Sequence, residues 1–323
     1  MMKKLILVIP VFVLLLAACD MPGGAAQPTP IDLSTAVPTA VAVVETEAAA
    51  APTQQFIAGK EGDTHVAAAD AMVMVFIPGG KYYIGGVDTD AHPDEKPAHN
   101  VTLSSFWMDQ LEVTNGMYSL CVKAGNCTPP RELKSSTHKS YFGSPDFNDF
   151  PVIQVSWQDA SNYCEWAGRR LPTEAEWEAA ARGNADYRRF PWGEQDADKT
   201  LANYGYTVRD TSRVGSYPTG ASPFGILDMA GNVWEWVVDY YDAGYYAKSD
   251  ASAQDSTGPK EAVGPGLRRV IRGGSWVEGL KDARVSSRAY GASPDLTADP
   301  TSAKFLGDAN DHTGFRCAAT AGK

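Results

Sequence analysis

Basic residues are scarce in this chain, which has 28 Lys and Arg against 39 Asp and Glu and a formal net charge of −11. A protein that binds a phosphate backbone needs a basic face to neutralise the phosphate charge. The sequence therefore predicts no nucleic-acid partner. The acidic excess is otherwise explained by a solvated surface that keeps the protein soluble.

Histidine is also rare, and the pattern of the five histidines excludes a common kind of metal site. No two of them stand three or four positions apart, as two ligands on one helix would. The chain likewise lacks a G-x-S-x-G motif, which would place a nucleophilic serine on a strained turn. We therefore expect neither a histidine-bound metal nor a serine nucleophile.

Long apolar runs are absent except near the N-terminus, where Leu5–Leu16 follows two lysines. These twelve residues are too few for an ordinary membrane-spanning helix, which needs about 20, and the arrangement is typical of an export signal. The LAAC sequence ending at Cys19 resembles a bacterial lipobox, which implies cleavage before Cys19 and its lipidation. A plain secretory signal cut near Ala18 is the alternative. We expect an extracytoplasmic protein that its N-terminal lipid anchors to the bacterial cell membrane.

The residues after this signal are unlike those of a folded domain. Residues 20–69 are rich in Ala, Pro, Thr and Val and poor in aromatic side chains. Such a composition cannot bury enough apolar surface to offset the entropy lost on ordering. We predict a signal peptide over residues 1–19, a disordered tether over 20–69, and one folded domain over 70–323.

Strands and helices can both be placed in the domain. A strand, a turn and a second strand are predicted over residues 72–84, and a second extended pair across 101–112. Helices are predicted after the capping residues Thr114, Ser156 and Thr173. In the third helix, glutamates in the first turn suit a capping box and the helix dipole better than acid–base catalysis.

The stretch GILDMAGNVWEW, residues 225–236, packs two indoles, two carboxylates and two glycines into twelve positions. Side chains alternate along a strand, so Val233 and Glu235 share one face while Trp234 and Trp236 share the other. A buried Glu235 needs a cation or hydrogen bonds, because an isolated buried carboxylate is costly. Either Asp228 and Glu235 bind a hard divalent ion such as calcium, or the carboxylate is bonded to backbone amides.

This stretch is one of five motifs that occur in a fixed order. They are RLPTEAEWEAAARG (170–183), FPWG (190–193), GNVWEW (231–236), RGGSW (272–276) and GFRCA (314–318). Together they resemble the formylglycine-generating-enzyme, or sulfatase-modifying-factor, domain. The resemblance implies an α+β fold that is irregular and loop-rich, is related to C-type lectins and holds structural calcium.

The resemblance also implies which residues would bind calcium. The first site would use Asp228 and Glu235 with the carbonyls of Gly231 and Val233. The second would use Asn203, the carbonyl of Tyr204 and, as a weaker match, the carboxylate of Asp210.

The enzymes of this family bind one copper ion through a cysteine pair that follows their GGS-aromatic motif. Soft thiolates hold Cu(I) in a way that oxygen ligands do not reproduce. The corresponding segment here, residues 273–284, contains no cysteine. We therefore expect no copper and favour a non-catalytic module. A formylglycine-generating oxidase or another oxidoreductase of the superfamily is the alternative.

Four cysteines remain after Cys19, and export would permit them to form disulfides. Cys121 and Cys127 bracket only five residues and are close enough to bridge locally. Cys164 and Cys317 lie in family motifs, where the resemblance implies a long-range bridge.

A candidate ligand groove follows the RGGSW motif. Residues 277–313 mix polar and aromatic side chains with small residues, a composition that suits recognition by loops on a rigid scaffold. The candidate residues are Trp276, Glu278, Arg284, Arg288, Tyr290, Phe305 and His312. An ordinary solvated loop is the alternative. The expected partner is an extracytoplasmic peptide, protein or glycan.

Overall fold

A computed structural model describes residues 55–184, 187–295 and 307–322. The strands are β1 Thr64–Val66, β2 Val73–Ile77, β3 Gly80–Ile84, β4 His99–Leu103, β5 Phe106–Asp109, β6 Trp234–Tyr240, β7 Arg268–Arg272, β8 Arg288–Ala292, β9 Thr313–Gly314 and β10 Ala318–Thr320. The helices are α1 Asn115–Lys123, α2 Trp157–Trp166 and α3 Glu174–Arg182. The predicted signal peptide, Cys19 and most of the tether lie outside the described residues. Within those residues, no helix has the length and apolar character needed to span a bilayer.

The three helices begin where their caps predict. The hydroxyls of Thr114, Ser156 and Thr173 each accept a hydrogen bond from the backbone N–H three residues on. In α3 the Glu176 carboxylate accepts in return from the Thr173 backbone N–H at 2.9 Å, which completes the predicted capping box. The helix predictions are confirmed because these signals are local.

The folded part begins earlier than the residue 70 that composition indicated. β1 pairs antiparallel with β2, with Thr64 opposite Val75. Phe56 is buried in a cluster with Trp107, whose Nε1 donates to the Ile57 carbonyl at 2.9 Å. Residues 55–69 therefore belong to the domain and not to the tether, because their few apolar side chains pack against a sheet formed by later residues.

Three sheets organise the domain. β1, β2, β5 and β10 form one four-stranded sheet in that order, β3 pairs with β4, and β8, β7, β6 and β9 form the third sheet. β2 to β5 confirm the strands predicted over residues 72–84 and 101–112. The last four strands, β7 to β10, were not predicted, since they are short and their partners lie far away in sequence.

β6 carries the aromatic stretch and lies between β7 and β9. Trp234 and Trp236 pack in the apolar cluster that contains Cys164 and Cys317. Glu235 instead accepts a hydrogen bond from the Trp177 indole of α3 at 2.8 Å. The predicted alternation of faces is thus confirmed.

Both expected disulfides are present. Cys121, in the last turn of α1, bridges Cys127, 6 residues later, with Cα atoms 5.3 Å apart. Cys164 of α2 bridges Cys317 across 153 residues, with Cα atoms 5.7 Å apart. The second bridge ties the middle of the chain to the segment before β10.

Buried ion pairs hold the sheets and α3 together. Six arginine side chains that are at most 2% exposed each pair with an aspartate or glutamate, namely Arg169, Arg182, Arg272, Arg284, Arg288 and Arg316. Glu174 and Glu178 of α3 supply partners for three of them. These glutamates are structural, since a buried charge needs a well-oriented opposite charge.

Candidate functional site

Glu235 lies at the centre of the aromatic stretch and is fully paired. Its two carboxylate oxygens accept hydrogen bonds from Nε and Nη2 of Arg316, each at 2.7 Å. The Trp177 indole N–H donates to the same carboxylate at 2.8 Å. The buried carboxylate thus has a cation and hydrogen bonds, as the sequence requires, but the donors are side chains and not the backbone amides expected as the alternative to calcium.

Two further carboxylates lie near this pair. Glu112, which the sequence did not single out, accepts hydrogen bonds from the Asn232 side chain at 2.5 Å and the Val233 backbone N–H at 3.3 Å. Burial, followed by the charges of Asp228 and Glu235, raises the pKa of Glu112 well above its usual value. Burial also raises the pKa of Asp228 to about 6. The cluster therefore gathers three carboxyl groups around Arg316, and burial favours the protonated form of Glu112 and Asp228.

The first expected calcium site places Asp228 and Glu235 in this cluster, but its geometry does not suit an ion. Calcium could reach the Glu235 oxygens only by displacing Arg316. Asp228 is engaged as well, since its Oδ2 accepts from the Gly215 backbone N–H at 2.6 Å. Gly231 and Val233 adjoin this pair in sequence and are buried. Within the described ranges, no group of three or more Asp, Glu, His or Cys side chains converges as a metal centre.

The second expected site fits an ion in part. The Nδ2 of Asn203 donates to the Asp210 carbonyl at 2.8 Å, while its buried Oδ1 has no hydrogen-bond partner. The Tyr204 carbonyl accepts from the Thr207 hydroxyl at 2.6 Å. A buried amide oxygen with no partner is a suitable ligand for calcium.

The Asp210 carboxylate is occupied by hydrogen bonds to the loop that contains Ser135 and Thr137. It accepts from the Ser135 hydroxyl at 2.6 Å and from the Thr137 backbone N–H at 2.9 Å. Although burial favours the protonated form, these hydrogen bonds lower the pKa of Asp210. Of the second site, Asn203 is therefore the residue with an unused oxygen.

A cavity of about 350 Å³ opens on the other side of β6. Its lining consists of the indoles Trp234 and Trp236, the apolar side chains Ile271 and Ala289, and a polar set comprising Glu278, Asp282, Tyr290, Asp308, Asn310, His312 and Thr313, together with Gly291. The apolar residues come from β6, β7 and β8, whereas most of the acidic residues come from the loops between strands. A rigid sheet therefore supports a wall of loop side chains.

Two acidic groups of the cavity accept hydrogen bonds from nearby protein groups. The Ser275 hydroxyl donates to the Glu278 carboxylate, and the Asp308 carboxylate accepts from the Ala292 backbone N–H at 2.7 Å. Burial, with the charge of Glu278 as the next cause, raises the pKa of Asp282. One donor or acceptor is unused, because the buried Oγ1 of Thr313 has no hydrogen-bond partner.

The structure divides the predicted groove residues into two groups. Glu278, Tyr290 and His312 line the cavity, and His312 Nδ1 lies 3.0 Å from the Asp311 carboxylate. Trp276 is buried beside it, and its Nε1 donates to the Asp311 carbonyl at 3.1 Å. Phe305 lies outside the described residues.

Arg284 and Arg288 were expected in the groove and lie in the interior instead. Arg284 forms a two-pronged pair with Glu95 at 2.6 and 2.7 Å. Arg288 forms a similar pair with Glu174 at 2.7 and 2.9 Å. Both guanidinium groups are neutralised by buried carboxylates, so neither is available to a ligand.

Asp282 and Thr313 are polar cavity residues that sequence reasoning missed, whereas Asp308 is one of the polar residues of the predicted groove. Asp282 follows Glu278 by four positions in the segment where the family's enzymes carry thiols, and this spacing was the available signal. Asp308 lay within the predicted groove but could not be distinguished there from other polar residues. Nothing in the sequence marks the hydroxyl of Thr313 as unpaired.

Known proteins are similar to this chain in sequence and fold. Residues 61–321 match a family model described as "Sulfatase-modifying factor enzyme 1-like domain". The formylglycine-generating enzyme of Thermomonospora curvata is 33% identical over 297 residues, a match that covers 76% of this chain and 93% of that enzyme.

Two further proteins are similar to this chain, one in sequence and one in structure. The serine/threonine-protein kinase pkn1 of Chlamydia caviae is 38% identical over 255 residues, which cover 76% of this chain but 37% of that protein. The chain thus spans little more than a third of that relative. The structure of PvdO from Pseudomonas aeruginosa has a TM-score of 0.62 at 28% identity, covering 81% of this chain and 99% of PvdO. The α+β fold expected from the motifs is confirmed, and the chain belongs to the sulfatase-modifying factor enzyme 1-like, or FGE-sulfatase, family.

Proposed function

We propose that this domain is a non-catalytic binding or scaffolding module of the FGE-sulfatase family, carried by a lipid-anchored extracytoplasmic protein. The observation that supports it is the cavity beside β6. Its indole and aliphatic base, polar wall and partnerless Thr313 hydroxyl have the character of a ligand site. The ligand would be an extracytoplasmic peptide, protein or glycan.

The state of the cysteines favours binding over oxidation of a cysteine substrate. All four cysteines of the domain are in disulfides, including Cys317. Copper(I) chemistry of the family's kind needs a pair of thiolates. Carboxylates of Glu278 and Asp282 line the cavity in the segment that lacks those thiols. A formylglycine-generating oxidase or another oxidoreductase of the superfamily is the alternative function.

Calcium is proposed as a structural ion. Asn203 is the best-supported ligand, because its Oδ1 is buried without a partner. A second ion at Asp228 and Glu235, with the carbonyls of Gly231 and Val233, would have to compete with Arg316. Calcium at these loops would stabilise the folded chain by mass action without taking part in chemistry.

The experiment compares binding with oxidation in the purified full chain. Metal content is measured by mass spectrometry, and a cysteine-containing peptide is incubated with the chain, copper and oxygen beside a formylglycine-generating enzyme as positive control. We expect calcium without stoichiometric copper, and no aldehyde product. Stoichiometric copper together with aldehyde formation would overturn the proposal in favour of the oxidase.

Binding is tested on peptide and glycan arrays with the same protein. Wild-type chain is expected to retain a ligand that the variants Glu278→Gln and His312→Ala lose. The matched control is Glu261→Gln, which removes an exposed carboxylate from a loop that does not line the cavity. Equal retention by all four proteins would show that the cavity is not the binding site.

The lipid anchor is tested separately by a Cys19→Ala variant. The wild-type chain is expected in the membrane fraction of the producing bacterium, and the variant in the soluble extracytoplasmic fraction. The same distribution for both proteins would contradict anchoring through Cys19.

A further inference from the structure

We propose that the group entering the cavity is an organic cation with N–H donors, the ammonium or guanidinium of a lysine or arginine side chain in an extracytoplasmic peptide. This inference rests on the proposed binding function and specifies its ligand. Three properties of the lining support it: its charge, its unused hydrogen-bonding capacity and its apolar base.

Carboxylates predominate among the ionisable groups of the lining, which also contains His312. Glu278, Asp282 and Asp308 contribute carboxylates, and the described lining contains neither Lys nor Arg. Elsewhere in the domain, buried carboxylates such as Glu95 and Glu174 meet an arginine. No ion pair joins the three cavity carboxylates to a lysine or arginine of the described residues, although the charge of Arg284 acts on Asp282 from outside the lining. An entering cation would supply an opposite charge in direct contact.

The hydrogen-bonding capacity of the cavity also matches a cationic donor. Thr313 is 1% exposed and its Oγ1 has no partner, although a buried hydroxyl normally has one. This hydroxyl lies on β9, which pairs with β6, and lines the same cavity as the carboxylates. An ammonium or guanidinium carries several N–H donors and can therefore bond the hydroxyl and a carboxylate together.

The apolar base suits the stem of such a side chain. Trp234, Trp236, Ile271 and Ala289 supply the apolar part of the lining. Lysine and arginine bury their methylene stems against apolar surface while their charged heads reach polar groups. An aromatic ring near the head adds a cation–π attraction. A volume of about 350 Å³ is at the small end of the range for ligand pockets and is sufficient for one such side chain.

The test measures binding of four capped tripeptides to the purified full chain by calorimetry. They are Ala-Lys-Ala, Ala-Arg-Ala, and the uncharged analogues in which norleucine replaces lysine or citrulline replaces arginine. We expect each cationic peptide to bind at least about tenfold more tightly than its uncharged analogue. Raising the salt from about 50 mM to about 500 mM should weaken the cationic peptides selectively.

Variants connect the preference to the cavity. Glu278→Gln and Asp282→Asn keep the shape of each side chain and remove its charge, and each should weaken cationic binding about fivefold or more. Thr313→Val removes the unpaired hydroxyl at nearly constant volume and should weaken the cationic peptides more than the uncharged ones. Glu261→Gln, away from the cavity, should leave all four affinities unchanged, and near-UV circular dichroism confirms that each variant is folded.

The outcomes separate this inference from the proposed function. Equal binding of cationic and uncharged peptides would overturn the cation while leaving a peptide-binding module. Binding of a neutral oligosaccharide, dependent on Glu278, in place of any peptide would do the same in favour of a glycan. Failure of every peptide and glycan to bind would overturn both proposals.

Discussion

Replacing Arg316 by methionine tests whether the charge balance behind the aromatic stretch holds the fold together. Methionine is similar in length and apolar, so the variant removes the cation without opening a large cavity. Arg316→Met would leave the fully buried Glu235 with the Trp177 indole as its remaining described partner. Glu112 and Asp228 would lose the same nearby positive charge.

The magnitude follows from the contacts of the guanidinium. Arg316 makes two hydrogen bonds of 2.7 Å to Glu235 and three more, of 2.9 to 3.3 Å, to the carbonyls of Asp109, Gln110 and Leu227. Breaking a buried pair by removing one partner costs about 3–5 kcal/mol, because the other charge stays buried and unpaired. We expect the free energy of unfolding to fall by about 4 kcal/mol.

The loss should depend on pH with a definite sign. Burial raises the pKa of Asp228 to about 6, and Arg316 opposes that rise in both Asp228 and Glu112. Removing Arg316 raises both pKa values further. A raised carboxyl pKa stabilises the fold fully below the unfolded pKa and loses that contribution as pH rises through the folded value. The deficit of the variant should therefore be smaller at pH ~5 than at pH ~8.

The assay is urea unfolding followed by tryptophan fluorescence, at both pH values and with the disulfides intact. A double variant, Arg316→Met with Glu235→Gln, should recover at least half of the loss, because it removes the unpaired charge. Arg213→Met is the surface control, since its pair with Asp149 is 55% and 65% exposed, and it should cost less than about 1 kcal/mol. A loss below about 1 kcal/mol for Arg316→Met, or one independent of pH, would refute the reasoning.

Three other predictions use the same unfolding assay or a thermal one. Replacing Cys164 and Cys317 by alanine should lower the free energy of unfolding by about 5 kcal/mol, because their bridge closes a loop of 153 residues. Replacing Cys121 and Cys127, which close a loop of 6 residues, should cost about 2 kcal/mol. Equal losses would contradict the loop-entropy argument. Gly231→Ala should lower the free energy of unfolding by about 3 kcal/mol, because its φ is +77° and a Cβ would lie 2.3 Å from the Asn203 carbonyl oxygen. Gly279→Ala is the control and should be nearly neutral, because a Cβ there meets no atom within 4 Å. Calcium in hundredfold excess over its Kd should stabilise the wild type by about 2.7 kcal/mol and a chelator should reverse this; Asn203→Ala should lose the response, and an unchanged response would exclude Asn203 as a ligand.

Local features of the fold could be predicted from sequence, and distant pairings could not. The caps at Thr114, Ser156 and Thr173 mark helices because each acts within three residues. Alternation along residues 233–236 placed Glu235 opposite the two indoles for the same reason. The edge strands β9 and β10 have 2 and 3 residues, too few to show a period.

The charged residues of the candidate site also depend on distant partners that the sequence does not reveal. Arg284 was assigned to the groove because it stands in a polar loop, but its partner Glu95 lies 189 residues earlier. Such a distant partner allows an arginine to be buried. The residues next to Arg284 in sequence therefore do not determine whether its side chain is buried or exposed. Glu278 was placed in the cavity region through the motif before it, whereas Glu112 reaches its cluster only through the packing of β5 against later residues.

One consequence of the sheet order concerns synthesis. β9 and β10 are the outer strands of the two four-stranded sheets, and between them stand Arg316 and Cys317. A nascent polypeptide that has reached residue 312 therefore lacks the rim of both sheets, the counter-charge of Glu235 and the thiol that Cys164 requires. Native assembly must therefore wait until translation has passed these residues.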